Sequence, residues 1–147
     1  MKKEKVRIYI IKHLDELLNE LKIELDVKKD GSVMQCSDVN NIDSHSHQFQ
    51  IIEEEKFIKE RINNTIKEKI HFQKTAINKV DKVQEGALIK IKGYFLYIGI
   101  STPIILIENN RIIGISTSAP IYKELVNQKV GFQFKFNGND CLIESIE

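Results

Sequence analysis

The spacing of the apolar residues changes near residue 80, and this change divides the chain into two halves. Before it, apolar residues recur every three or four positions; after it, they alternate with polar residues between Gly, Pro and Asn. The first spacing predicts amphipathic helices, and the second predicts short β-strands. We therefore predict an α+β protein with a helical half over residues 1–79 and a small, mostly antiparallel sheet domain with one helix over residues 80–147.

The first half carries two apolar stripes of helical period, from Val6 to about Asp26 and from Ile51 to Ile77, and neither contains a proline. Each stripe is narrow, which suits a two-stranded seam, so the helices are predicted to pair as an antiparallel coiled-coil hairpin. A compact all-α core is the alternative for the same pattern. The stripes are Val6, Ile10, Leu14, Leu17, Leu18, Leu21 and Leu25, and then Ile52, Phe57, Ile58, Ile62, Ile66, Ile70 and Ile77.

Between these helices lies a segment rich in turn-forming residues and poor in apolar ones. It predicts the tip of the hairpin at about residues 31–47. The first helix can continue through Gly31 with a weak point there, because an interior glycine costs about 1 kcal/mol relative to alanine. His45 and His47 lie in this segment without a Cys or a third His nearby, so they supply at most part of a metal site.

The second half predicts strands over residues 87–91, 94–100, 104–108 and 112–116, separated by turn residues. Farther on, Asn137-Gly138 predicts a two-residue hairpin turn, because these residues tolerate positive φ angles. That turn places Phe134 opposite Cys141 and Lys135 opposite Asp140, so Cys141 is predicted to lie in the core.

A helix is predicted after the strand that ends near Ser116. Ser118 is a candidate for its N-cap, and Pro120 suits its first turn, where the missing N–H costs nothing. Ile121 and Leu125 lie four residues apart and so share the face that packs on the sheet.

Composition argues against several classes of function. The net charge of +1 over 147 residues does not suit a protein held on nucleic acid by phosphate neutralisation. Cys36 and Cys141 lie far apart, which favours a reducing, cytoplasmic setting over a disulfide framework. No segment reaches the ~20 apolar residues that cross a bilayer. No serine-nucleophile arrangement or Gly-rich phosphate loop is present, so we do not expect an enzyme.

Four segments resemble the bacterial Gre transcript-cleavage factors. Residues 115–125, with the pattern I-S-x-x-x-P-I-x-[KR]-x-L, and Lys129-Val-Gly131 resemble the carboxy-terminal domain of that family. Leu14–Leu21 and Phe57–Ile62 resemble its two coiled-coil helices. The resemblance implies an FKBP-like fold for the second domain, bacterial RNA polymerase as the partner, and a polymerase-contact surface that includes Ser116, Ser118 and Pro120.

The resemblance also implies a role for the tip, where Gre factors carry an Asp and a Glu that hold the second catalytic Mg²⁺ of the polymerase. Here Asp38 takes the first position and Asn41 the second; in the alternative register, Asn41 and Ser44 take them. Asp38 and Asp43 can still form a displaced pair, as metal-holding and catalytic residues for Mg²⁺ shared with the polymerase, with no cofactor of the chain's own. The alternative is that both are solvated turn residues.

The resemblance thus implies a regulator of elongation that enters the secondary channel of the polymerase, with an incomplete set of tip acids for stimulating cleavage. The sequence leaves three alternatives. One is a shorter-reach polymerase-binding regulator or inhibitor without cleavage activity, and another is an FKBP-like prolyl isomerase. The third is a coiled-coil dimer with an appended domain.

Overall fold

The computed structural model describes residues 2–35, 42–75 and 79–147, and the side chains of these ranges outside 31–48. Two long helices are followed by a mixed arrangement of short strands and one short helix, so the α+β prediction is confirmed. The elements are, in chain order, α1 (Lys3–Gln35), α2 (Ile42–Lys74), β1 (Leu88–Ile91), β2 (Tyr94–Ile98), β3 (Ile105–Ile107), β4 (Asn110–Ile115), α3 (Pro120–Leu125), β5 (Gln133–Phe136), β6 (Asn139–Leu142) and β7 (Ser145–Ile146).

Contacts divide the chain into two units. The sheet unit consists of Met1–Ile11 and His71–Glu147, and the hairpin unit consists of Lys12–Ile70. The domain boundary predicted between residues 79 and 80 stays a prediction. When residues are grouped by their contacts, the first residues of α1 and the last residues of α2 belong to the sheet unit.

The hairpin unit pairs α1 and α2 in antiparallel fashion. Lys69 forms an ion pair with Asp15, and Lys28 forms one with Glu54, so the later part of α2 lies beside the earlier part of α1. Among the described elements, this unit contains α1 and α2 alone, so the two helices pair with each other rather than within a larger all-α core.

The seam of α2 differs from the predicted stripe. Its buried or half-buried positions alternate steps of three and four residues, whereas the predicted residues Ile58, Ile62, Ile66 and Ile70 step by four throughout. Repeated steps of four drift around a helix that turns every 3.6 residues, so the later members leave the seam. The seam positions of α2 in the hairpin unit are Ile51, Glu55, Ile58, Ile62, Thr65 and Lys69. Ile52, Phe57, Ile66 and Ile70 are exposed.

The predicted tip over residues 31–47 is too wide. The first helix continues through Gly31 to Gln35, and the second begins at Ile42 rather than at Ile51. α2 ends at Lys74, and the predicted Ile77 lies outside the described residues. Each serine or histidine lowers the stability of a helix by only tenths of a kcal/mol. Such residues therefore do not end a helix that is stabilised by packing along the seam.

The main sheet has five strands in the order β3-β4-β2-β1-β7. Its pairs are antiparallel except for β2 and β4, which are parallel with Phe95 opposite Ile112 and Ile98 opposite Ile115. The four strands predicted after residue 86 match β1 to β4 within two residues at each end. Because alternate side chains of a strand point to opposite faces, both faces of the central strands need a cover.

One face of the sheet is covered by α3 and by the β5–β6 hairpin. Ile89, Leu96 and Ile98 of the central strands belong to the same buried cluster as Leu125 of α3 and Phe134 of β5. The opposite face carries Tyr97, whose ring lies 5.2 Å from that of Phe72 in α2. The first turns of α1 and the last turn of α2 therefore cover this second face.

The β5–β6 hairpin has the predicted register. Asn137 and Gly138 both have positive φ angles, of 50° and 79°, and Phe134 pairs with Cys141. Lys135 pairs with Asp140, also as predicted. Cys141 is half-buried and packs against the core cluster, so it lies at the edge of the core.

Candidate functional site

The turn between β4 and α3 brings the three predicted partner-binding residues together. Ser116 follows the last residue of β4, and its Oγ lies 2.8 Å from the Oγ of Ser118. The backbone N–H of Ser118 donates to the same Ser116 oxygen at 3.2 Å. The N–H of Ala119 donates to the Ser116 carbonyl oxygen at 3.0 Å. The turn is thus held by its own serine and backbone groups.

Ser118 is not the N-cap of α3, contrary to the sequence prediction. Ala119 occupies the N-cap position with φ −67° and ψ 140°, and it provides no side-chain hydrogen bond. Ser118 is one residue too early, and its hydroxyl is instead paired with Ser116. Pro120 fills the first helical position as predicted, where its missing N–H leaves no hydrogen bond unmade.

Exposure separates the outer surface of this turn from its anchor. Ser118 and Pro120 are exposed and Ser116 is half-buried, whereas Leu125 at the end of α3 is fully buried in the core. Ile121, four residues before it, is half-buried against the same cluster. The last residue of α3 is therefore anchored in the core, and the first turn of the helix faces solvent.

The strand that leads into the turn is held by a close backbone approach at Gly114. A Cβ atom at this position would lie 2.3 Å from the carbonyl oxygen of Ile100, which no side chain could accommodate. The N–H of Gly114 donates to Thr102 Oγ1 at 2.8 Å. These contacts fix the direction in which β4 delivers Ser116 and Ser118.

A buried polar cluster that the sequence did not indicate joins the two helices to the sheet. Arg7 is only 5% exposed, and its guanidinium donates to Tyr97 Oη at 2.7 Å and to the Phe72 carbonyl oxygen at 2.8 Å. The guanidinium carbon also lies 4.6 Å from the centre of the Phe72 ring. The sequence feature that could have indicated this cluster is the single Arg within the apolar stripe, between Val6 and Ile10.

Burial shifts the acidity of two groups in this part of the sheet unit. It raises the pKa of the Tyr97 hydroxyl above 10.0, although the hydrogen bond from Arg7 opposes the rise. It lowers the pKa of Lys3 below 10.5, and the nearby charge of Arg7 adds to that effect, whereas Glu147 opposes it. Tyr97 therefore holds its proton as a neutral partner of the Arg7 cation.

The candidate tip acids lie largely outside the described part of the chain. Asp38 is outside the described residues, and Asp43 has a described backbone in the first turn of α2 but no described side chain. Their roles as metal-holding residues stay predictions. Among the described residues, no group of three or more His, Cys, Asp or Glu side chains is placed to hold a metal ion. Within those residues, too, no helix has the length and apolarity to cross a membrane.

A structural likeness is found among solved proteins, but no family model and no curated protein matches the chain. Among solved structures, that of the transcription factor Gfh1 is similar, at 12% sequence identity and a TM-score of 0.36 over 92% of this chain and 92% of that one. A likeness at this score carries no argument about function.

Proposed function

We propose that this chain is a Gre-like regulator of transcription elongation that acts in the bacterial cytoplasm by binding RNA polymerase. The observation that carries the proposal is the turn after β4. The residues that resemble the Gre carboxy-terminal domain form a strand, an exposed Ser/Pro turn and a short helix anchored by the buried Leu125. An exposed turn on a fixed base suits recognition, because little conformational entropy is lost on binding.

The hairpin unit gives a second line of support. Its two long antiparallel helices are the element that the Gre resemblance assigns to the secondary channel of the polymerase. Their surface carries charged residues of both signs, with ion pairs between the helices and along each one. Such a surface stays soluble as a free hairpin while only one side of each helix is buried.

The tip acids determine which effect the regulator has. A neutral amide or hydroxyl oxygen contributes far less to holding Mg²⁺ than a carboxylate does. With Asn41 or Ser44 where a Glu is expected, the chain should bind the polymerase and stimulate transcript cleavage weakly or not at all. The chain has no catalytic activity of its own in this proposal, and the hydrolysis belongs to the polymerase.

Binding is tested with purified bacterial RNA polymerase. Pro120→Asp should weaken the affinity without changing the melting temperature, because Pro120 is exposed and Leu125 still anchors α3. Val130→Asp is the matched control, since Val130 is an exposed apolar residue of the same unit at 56% exposure. If the wild-type chain does not bind, the proposed function is wrong. Equal affinity of the Pro120 variant and the wild type would move the contact elsewhere.

Cleavage is tested on a backtracked elongation complex. Asn41→Glu, which restores an acid while keeping Asp38, should raise the rate of transcript cleavage above that of the wild type. Strong cleavage by the wild type that is lost in Asp38→Ala or Asp43→Ala would show instead that these two acids work as a pair. Binding without cleavage in every variant would favour the shorter-reach regulator or inhibitor.

A further inference from the structure

The edge strand β3 exposes aliphatic side chains. Residues 104–107 are four consecutive aliphatic residues, and β3 has only β4 beside it in the sheet. Ile104 is 55% exposed and Leu106 is 69% exposed, whereas Ile107 is buried. β3 is only three residues long, which limits pairing of its open edge with another strand but does not cover its exposed aliphatic side chains. An aliphatic pair at such an edge therefore needs an explanation.

An exposed cation lies beside this aliphatic pair. Arg111 of β4 is directly opposite Leu106, so both side chains point to the same face of the sheet. Its guanidinium carbon lies 5.7 Å from the centre of the Tyr94 ring, and Nη1 lies 3.4 Å from Tyr94 Oη. Among the described residues, no carboxylate forms an ion pair with it.

Two other basic residues of the sheet unit, Lys5 and Lys90, are already ion-paired. Lys90 pairs with Glu144 at 2.9 Å, and Lys5 pairs with Glu108 on the turn that joins β3 to β4. Among the described residues, the guanidinium of Arg111 contacts the ring and hydroxyl of Tyr94, which orient it without neutralising its charge. The charge next to the exposed aliphatic pair is thus open to an acidic group from outside.

We infer that Ile104, Leu106 and Arg111, the β3–β4 patch, form a second contact surface for the polymerase, additional to the turn at Ser116–Pro120. The inference rests on the proposed function. Its expected occupant is a polymerase segment that presents aliphatic side chains next to a carboxylate. The aliphatic groups would cover Ile104 and Leu106, and the carboxylate would pair with Arg111.

Charge complementarity favours this occupant over the alternatives. A phosphate backbone is held by several cations together, and this patch offers a single Arg beside two large aliphatic residues. An apolar centre with one Arg at its side is the composition of a protein–protein contact, in which Arg is enriched and most affinity comes from a few residues.

The experiment measures the affinity of purified bacterial RNA polymerase for the full chain and its variants. Leu106→Ser should weaken binding about tenfold, the order typical of a buried contact residue. Arg111→Glu should weaken it at least as much, and Arg111→Lys should retain most of the affinity. Leu142→Ser and Lys135→Glu are the controls, because both residues are exposed on the β5–β6 hairpin.

The salt dependence of polymerase affinity distinguishes an ion pair made by Arg111 from a purely structural role of that residue. Raising the ionic strength should weaken the wild type and Leu106→Ser, but should affect Arg111→Met less, because the screened ion pair is then absent. Combining Leu106→Ser with Pro120→Asp should multiply the two losses if the patch and the turn are separate contacts. All variants should keep the wild-type melting temperature.

The outcomes distinguish the inference from the function on which it rests. If the wild type fails to bind the polymerase, both are overturned. If it binds and the patch variants bind equally well, the inference alone is overturned. A wild-type dimer in sedimentation that Leu106→Ser dissociates, with unchanged polymerase affinity, would assign the patch to a second copy of the chain and would also overturn it.

Discussion

The two units of the chain bury their apolar residues in different ways. Every large described side chain that solvent does not reach belongs to the sheet unit, including Ile10, Phe72, Leu96, Tyr97 and Leu125. In the hairpin unit, the buried apolar residues are confined to one line along each helix. They are Leu14, Leu18, Leu21 and Ile58. A core enclosed by several elements is more stable than a seam between two helices. The hairpin unit should therefore unfold locally at a lower free energy than the sheet unit.

The exposed apolar residues show the same contrast. Ile23, Val27, Phe49 and Phe57 of the hairpin unit are each more than 60% exposed, and no third described element of that unit covers them. The sheet unit therefore has a closed core, whereas the hairpin unit has only the burial that two paired helices provide. Four measurements test this difference between the units.

The largest effect is expected from Leu21→Asp. Leu21 is 2% exposed in the seam, and burying an unpaired carboxylate there would cost several kcal/mol, more than a two-helix seam supplies. Amide hydrogen exchange should show α1 and α2 opening within Lys12–Ile70 while the sheet stays protected. Ile23→Asp, at 64% exposure on the same helix, should leave exchange unchanged. Simultaneous loss of protection in both units would show that they do not differ in stability.

A smaller effect is expected from a matched pair of leucine truncations. Leu125→Ala in the sheet unit should lower the free energy of unfolding by about 3 kcal/mol, because a fully buried leucine leaves a cavity. Leu25→Ala in the hairpin should cost about 1 kcal/mol, because that side chain is already half-exposed. Urea denaturation of both variants measures the difference. Equal losses would contradict the contrast drawn between the units.

Tyr97 allows a pH test of the sheet unit. Its pKa is raised by burial, so the folded state holds this proton more tightly than the unfolded state. The stability that this provides is fully present below about pH 10 and is lost as the pH rises through the folded pKa. Absorbance titration of the wild type and Tyr97→Phe should assign one late-ionising tyrosine to this position.

The Phe variant also serves as its own control for stability. At pH 7 it should lose about 1 kcal/mol, because Arg7 loses one hydrogen-bond partner. Above pH 10, the difference in free energy of unfolding between the variant and the wild type should become smaller or change sign. Comparing the two chains removes the contribution of Lys3, whose lowered pKa acts in the opposite direction in both. A difference that stays constant with pH would show that the pKa of Tyr97 is the same in the folded and unfolded states, and would contradict the effect of burial.

The smallest effect is expected at the ion pair between Asp15 and Lys69. Both side chains are partly exposed, so Asp15→Asn should lower the hairpin stability by only about 0.5 kcal/mol. A double-mutant cycle with Lys69→Met isolates the pair, and the coupling should fade at high salt. Coupling of several kcal/mol would mean that charges, rather than the leucine seam, stabilise the hairpin.

The sequence predicted the sheet better than the helices, for a physical reason. Strand alternation and the Asn137-Gly138 turn are local signals, and they placed β1 to β6 and the pairing of Phe134 with Cys141. The seam of α2 was missed because the partner helix selects its phase, which puts Thr65 and Lys69 in positions that no apolar pattern marks. The hydroxyl of Thr65 is satisfied by the Arg61 carbonyl oxygen at 2.8 Å, which makes its burial tolerable.

The candidate site was only partly predictable. The strand, turn and helix around Ser116 and Pro120 follow from local signals, whereas the cap at Ser118 was wrong because its hydroxyl found a nearer partner in Ser116. The exposure of Leu106 beside Arg111 depends on which strand ends the sheet, and no local pattern contains that information. The tip acids Asp38 and Asp43 stay predictions.

The sheet unit is discontinuous along the chain, and this has a consequence for synthesis. Arg7 and Tyr97 are separated by 90 positions, so the first turns of α1 leave the ribosome long before the strand that buries them. The hairpin unit needs only residues that emerge in between, and it can pair first. Val6 and Ile10 would then stay exposed on the nascent chain until the sheet forms. A nascent chain whose Tyr97 has not yet emerged should therefore display an apolar segment that a holding chaperone recognises, and one whose whole sheet unit has emerged should not.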